Sequence, residues 1–177
     1  MGAIFDFEKE KLVVGVIYHD KDVLDSALRE LVEKFGEWDL VSEDYSFSEG
    51  YSTYYDEELG GEGIRRIYSF KNLQDPDLQA EIKEFTNELE KKYSRDGKRL
   101  INLDPGLMSH GRFMLSTTKN ASFRIPRKRG IYTEMTLFYA RGAWRKLLWT
   151  YQDYQSPLVL SFLERVRKIY LKQRQEG

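Results

Sequence analysis

The stretch IRRIYSFKNLQDPDLQAEIKEFTNELEKKYSRDGKRLINL, residues 64–103, decides the fold. Its opening run, IRRIYSF, has the β-branched and aromatic content of a strand. Asp75-Pro76-Asp77 then supplies a helix start: a capping carboxylate, a proline tolerated in the first turn, and a second carboxylate near the positive end of the helix dipole. Leu78, Ile82, Phe85, Leu89 and Tyr93 recur at helical spacing and define a buried stripe. Asp96-Gly97 ends the helix, and residues 99–103 form the next strand.

Upstream, residues 12–18 (LVVGVIY) suit a buried strand. Asp20 or Asp22 caps the helix that follows, with Leu24, Leu28, Leu31 and Phe35 on its inner side and Gly36 as its stop. Val41, Tyr45 and Phe47 point to a second strand, with Glu43 a misfit on the same face. SEGYSTYYDEELGGEG (48–63) is acidic, rich in tyrosine and without helical or strand period, and reads as a long loop. The order β-α-β-β-α-β closes as a ferredoxin-like split unit.

Downstream, strands are expected over residues 112–118, 122–126 and 131–139, the last alternating Ile131, Thr133, Met135 and Leu137 against Tyr132, Glu134, Thr136 and Phe138. Ala140-Arg141-Gly142 turns the chain back into a strand over 144–149. Ser156-Pro157 begins a final helix with Val159, Phe162, Val166 and Tyr170 inward. The expected architecture is a single α+β domain over residues 1–177: a ferredoxin-like unit extended by antiparallel strands and a C-terminal helix, on one largely antiparallel sheet.

The chain has 177 residues, enough for one core. It has no cysteine, which excludes disulfides, thiolate metal sites and a cysteine nucleophile, and only two histidines, His19 and His110, which leaves little for an imidazole metal site. No apolar run is long enough to span a bilayer, so a cytoplasmic protein with no membrane partner is expected. The net charge of −1 hides an asymmetry: residues 1–106 hold 14 Lys and Arg against 25 Asp and Glu, residues 107–177 hold 14 against 4. Either the basic half meets an anionic partner, or the two halves neutralise each other across one molecule.

Nucleotide-loop, Rossmann, nucleophile-elbow and zinc-protease motifs are absent, as are the aromatic signature of RNA-recognition strands and paired H-x-T motifs. Three segments remain. Leu103-Asp104-Pro105-Gly106 has type II turn chemistry, and Asp104 either caps that turn or projects into a cleft as a base or metal ligand. Ser116-Thr117-Thr118-Lys119-Asn120 groups hydroxyls and an ammonium at a strand end, a set able to hold phosphate oxygens unless it is a plain hairpin end. Arg124, read as lying inside a strand, needs a partner or a bound anion there, whereas Arg127, Lys128 and Arg129 read as a solvated turn. Tyr151, Asp153 and Tyr154 either staple the last helix to the sheet or line a pocket.

NLDPG at 102–106, STTK at 116–119, GIYTEMTL at 130–137, WTYQDY at 149–154 and EFTNELE at 84–90 resemble the signature stretches of an uncharacterised prokaryotic family, domain of unknown function forty-four sixteen. The resemblance covers nearly the whole chain. Two departures stand out: Phe123 where the family often has histidine before the arginine, which argues against imidazole chemistry there, and Gln152 where proline is common. The resemblance lends no activity, and the GTP-binding label sometimes attached to the family finds no nucleotide motif here.

The residues are therefore read as a site for a phosphorylated or otherwise anionic small molecule or nucleotide. Lys119 and Arg124 would hold the anion, Thr117 and Thr118 would add hydroxyls, and Asp104, Glu134 or Asp153 would supply acid-base or metal-binding oxygens. Glu134 is expected to be the counter-charge of Arg124 or Lys119. Two alternatives compete: an RNA- or DNA-binding module using Tyr132, Phe138, Trp144 and Trp149, and a protein-interaction domain using the loop at 51–58. Cofactor, metal and oligomeric state are not specified by the sequence.

Overall fold

The computed structural model describes residues 2–176. Strand β1 (Glu10–Tyr18) leads into helix α1 (Lys21–Phe35), which is capped by Asp20 accepting from the Asp22 amide and stopped by Gly36 at φ 87°. Strands β2 (Trp38–Val41) and β3 (Tyr45–Ser46) follow, then two single helical turns, α2 (Phe47–Gly50) and α3 (Asp56–Leu59), then the long strand β4 (Ile64–Gln74). Asp75 caps a 3-10 turn (Pro76–Leu78) that opens into α4 (Gln79–Lys92). A hairpin, β5 (Ser94–Arg95) and β6 (Lys98–Arg99), precedes β7 (Ile101–Met108). Strands β8 (Arg112–Thr117), β9 (Ile125–Pro126), β10 (Tyr132–Ala140) and β11 (Ala143–Lys146) follow, and a 3-10 turn (Asp153–Gln155) leads into α5 (Pro157–Glu176).

The main sheet runs β11-β10-β8-β7-β1-β4-β2, every neighbouring pair antiparallel. Its β7-β1-β4-β2 portion has the strand order of a ferredoxin-like split β-α-β unit, and β8, β10 and β11 widen it on the β7 side. Alternation along β1 sets the layers. Leu12, Val14, Val16 and Tyr18 pack with α1 and α4 on one face, while Val13 and Ile67 join Phe113, Leu137, Val159, Phe162 and Val166 beneath α5 on the other.

The structure corrects several local expectations. The second strand is two short pieces, because the backbone of Ser42 and its hydroxyl both bond Ile67 and Asp44 pairs with Arg66, pinning an irregular corner. The long loop contains α2 and α3, whose Leu59 is buried. Asp96-Gly97 does not merely end α4: at φ 52° and 78° it makes the two-residue turn of the β5–β6 hairpin. Strand β9 is only two residues long, and Arg124 precedes it in a turn. The alternation of β10 is broken by a register shift between Met135 and Leu137, which brings Glu134 and Leu137 to the α5 side together. Trp144 lies in strand β11, but that strand ends at Lys146.

The largest correction concerns Asp104-Pro105-Gly106. It is not a turn but the middle of β7, with Gly15 opposite Asp104 and Leu115 opposite Gly106. A proline is tolerated there because the β7–β8 ladder stops at Gly106 and no N–H is required beyond it. Gly106 is small for a packing reason: a Cβ would stand 2.7 Å from the Met114 carbonyl and 2.8 Å from the Phe113 ring.

Candidate functional site

Below Gly106 the sheet opens. Ser116 and Thr117 of β8 pair with β10, but the first half of β7 has no partner on that side. The exposed backbone edge at Leu103 is satisfied by α4 instead: Glu90 accepts from its N–H at 2.6 Å, and the Lys83 ammonium donates to its carbonyl at 2.8 Å. Buried main-chain groups need such partners, so the two charged α4 residues act as a substitute strand. The gap forms a cleft of about 680 Å³, within the range of small-ligand sites.

The cleft gathers residues from distant parts of the chain. Asp104, Thr117, Thr118, Lys119, Glu134, Tyr151, Asp153 and Tyr154 all line it. Its floor also holds Arg65, which the sequence analysis missed because IRRIYSF reads as an ordinary strand. Arg65 donates to Asp104 at 3.0 Å and to the Tyr154 hydroxyl at 3.0 Å, and its guanidinium stands 3.5 Å from Asp153. Burial pulls its proton affinity down, but Tyr154, Asp153 and Asp104 more than offset that and hold it well above its ordinary value. Room for it comes from Gly15, where a Cβ would lie 2.4 Å from Nη2 of Arg65. The signal available in the sequence was that glycine, placed in the middle of the most apolar strand.

Arg124, expected to bind an anion, is committed within the protein. Its Nε donates to Glu134 at 2.6 Å, Nη1 to the Lys119 carbonyl at 2.8 Å and Nη2 to the Tyr151 hydroxyl at 2.8 Å. Its guanidinium also lies over Phe123, which stacks on Trp149 at 4.9 Å. Arg124 therefore fixes Glu134 and the Lys119 turn, with three of its five N–H groups engaged by the protein. Lys119 itself has no carboxylate within ion-pairing distance among the described residues, and its ammonium lies 5.4 Å from the Tyr54 ring. Lys91 of α4, which also lines the cleft, is likewise without an ion pair among the described residues.

Three carboxyl groups face two guanidiniums at the floor. Burial pushes the Glu134 carboxyl above its usual range despite Arg124, and the Asp104 charge adds to the rise. Burial also raises Asp153, Arg65 pulls it back, and Asp104 again pushes it up. Oε1 of Glu134 and Oδ2 of Asp153 are buried without a hydrogen-bond partner, as is Nε of Arg65. Among the described residues no three His, Asp or Glu side chains are grouped to hold a metal ion.

The segment 47–63 roofs the cleft. Phe47, Ser52, Tyr54, Tyr55 and Glu58 line it from above. Glu58 meets Arg99 at 3.0 Å, Glu57 meets Lys98 at 2.9 Å, and Arg99 lies over the Tyr55 ring at 5.3 Å.

Part of the charge asymmetry between halves is neutralised internally. Arg127, Lys128 and Arg129, expected as a solvated turn, pair with Asp77, Glu81 and Glu84, while Arg112 and Arg174 pair with Glu10 and Glu8. Trp144, offered above as a stacking residue for nucleic acid, is buried against Tyr139 under α5. No helix among the described residues is long and apolar enough to cross a membrane.

Comparison with curated proteins and with solved structures yields no match. The family profile described as Domain of unknown function (DUF4416) matches residues 8–170, nearly the whole sheet and its helices, and the chain belongs to that family.

Proposed function

We propose that the cleft binds a small anionic molecule, a phosphorylated metabolite or nucleotide being the class that fits it best. The observation that carries this reading is Lys119: an exposed ammonium with no carboxylate partner among the described residues, lining the cleft together with Thr117 and Thr118. A charged donor flanked by hydroxyls is a common way to hold phosphate or carboxylate oxygens. Glu134 and Asp153, whose proton affinities burial raises, are placed to give or take a proton once a ligand is seated. Pairing of Arg127 with Asp77 and of Lys128 and Arg129 with Glu81 and Glu84 of α4 takes that turn out of the track of free cations that the alternative of a nucleic-acid surface needs.

The test is a thermal-shift series of the wild type and Lys119→Ala against nucleotides and sugar phosphates. At least one anion is expected to raise the melting temperature of the wild type and to lose that effect in the variant. If no anion stabilises the wild type, or Lys119→Ala responds equally, the reading fails.

A further inference from the structure

We infer that the ligand of this cleft is bipolar: an anionic group held at the Lys119 wall and a nitrogen cation or strong N–H donor directed at the Asp104–Glu134–Asp153 floor. This rests on the anion-binding reading and extends it to the other end of the molecule.

The floor is short of positive charge. Asp104, Glu134 and Asp153 face only Arg65 and Arg124, and both guanidiniums already bond several protein groups. Glu134 has a side chain only 1% exposed, and its Oε1 has no hydrogen-bond partner; Oδ2 of Asp153, 3.5 Å from the Arg65 guanidinium, has none either. A buried acceptor without a donor is costly unless function requires it. Asp104, with a side chain 29% exposed, is the floor carboxylate most open to the cleft, and both its described hydrogen bonds go to Oδ2. A donor entering the cleft would thus meet Asp104 first. It would stand among three carboxyl groups whose mutual repulsion a positive charge relieves.

The opposite end of the ligand meets the reverse pattern. Lys119 and Lys91 carry positive charge with no ion-pair partner among the described residues, while Thr117 and Thr118 add donors. Ammoniums without an ion pair on the walls and carboxyl oxygens without a hydrogen bond on the floor of one cleft select a molecule carrying both an anionic group and a nitrogen donor. An anion without a nitrogen would satisfy the walls and leave the floor as it is. The described acids are not grouped to hold a metal ion, so an organic ammonium, amidine or amino-substituted ring is the occupant that matches the floor.

The experiment compares ω-aminoalkyl phosphates of graded chain length with the corresponding alkyl phosphates lacking nitrogen, by calorimetric titration of the full chain. The best aminated member is expected to bind at least about tenfold more tightly than its nitrogen-free counterpart, the worth of a charge-assisted hydrogen bond. Asp104→Asn should collapse that ratio toward unity. Glu134→Gln should do the same; it removes the counter-charge of Arg124 as Asp104→Asn removes one of those of Arg65, and Asp104, the more exposed of the two, is the deciding position. Equal affinity of the two series, or an unchanged ratio in Asp104→Asn, overturns the bipolar ligand and leaves anion binding standing. If neither series binds, the anion-binding reading falls and this inference falls with it.

Discussion

One face of one sheet is used in two opposite ways. Beneath α5, Val13, Phe113, Leu137, Val159, Phe162 and Val166 form a continuous apolar cluster. Farther along the same face, Arg65, Asp104 and Glu134 of β4, β7 and β10 and Asp153 of the turn before α5 are buried or half-buried with their charges. The first region gains from burial directly, at roughly 25 cal/mol per Å² of apolar surface removed from water. The second must offset desolvation with ion pairs and still leaves polar atoms unsatisfied. The difference teaches where selection for stability ends, since a floor of this kind is poorly explained by folding alone.

The largest expected effects come from breaking each region separately. Phe113→Ala should cost about 3–5 kcal/mol as a cavity in a packed core. Arg65→Met should cost a similar ~3–5 kcal/mol, because it leaves Asp153 and Asp104 buried without their cation. The regions part company at the second mutation. Adding Asp153→Asn to Arg65→Met should recover part of the loss in denaturant midpoint, whereas adding Val159→Ala to Phe113→Ala should only deepen it. Losses that simply add at both places would erase the distinction.

Gly15→Ala tests the boundary between the regions. Its Cβ would press on a guanidinium already bonded to Asp104 and Tyr154, and about 1–3 kcal/mol of destabilisation is expected, as for other overpacked sites. Replacing Arg65 by Met in the same chain should relieve the clash, so that Gly15→Ala becomes nearly silent in that background. Equal cost in both backgrounds would mean that the glycine serves the strand and not the arginine.

A subtler contrast lies in pH dependence. Glu134 and Asp153 titrate above their ordinary range in the folded state, so between the unfolded and folded values the folded chain binds more protons than the unfolded one. Their contribution to stability is therefore present at low pH and lost as pH rises through that window. Glu134→Gln removes one such group, and the difference in stability between wild type and variant should shift in the variant's favour as pH rises above the ordinary carboxylate range. Urea midpoints across that interval check it; a difference independent of pH would show that Glu134 titrates normally. The apolar end contributes no such slope.

The smallest expected effect belongs to the roof. Lys98→Ala removes an exposed tie to Glu57, so the global midpoint should stay in place while residues 51–58 become faster to cleave by protease. An unchanged cleavage rate would show that the pair does not hold the segment down.

Much of the scaffold was legible from local chemistry. Helices α1, α4 and α5 announced themselves by cap, proline and apolar stripe, since each of these acts within a few residues. The ferredoxin-like order followed from the succession of elements, and the family resemblance from short motifs. The same motifs marked where the cleft would be, because Asp104, Lys119, Glu134 and Asp153 are unusual residues in apolar or turn surroundings. What they do to one another was not legible. Arg124 was read as an anion ligand with Glu134 or Lys119 beside it, and only the structure shows Glu134, Tyr151 and the Lys119 carbonyl each accepting from it, while Arg65 looked ordinary until Gly15 was seen to make space for it. Asp104-Pro105-Gly106 looked like a turn, because the end of the β7–β8 ladder that tolerates the proline is a fact about a second strand. The sequence by itself determined what acts within a turn or a strand length: helix ends, strand order and the list of unusual residues. Only the tertiary structure decided which charges are paired and which are left over, because ion pairs and strand ladders join residues far apart in the chain and their partners are chosen by packing.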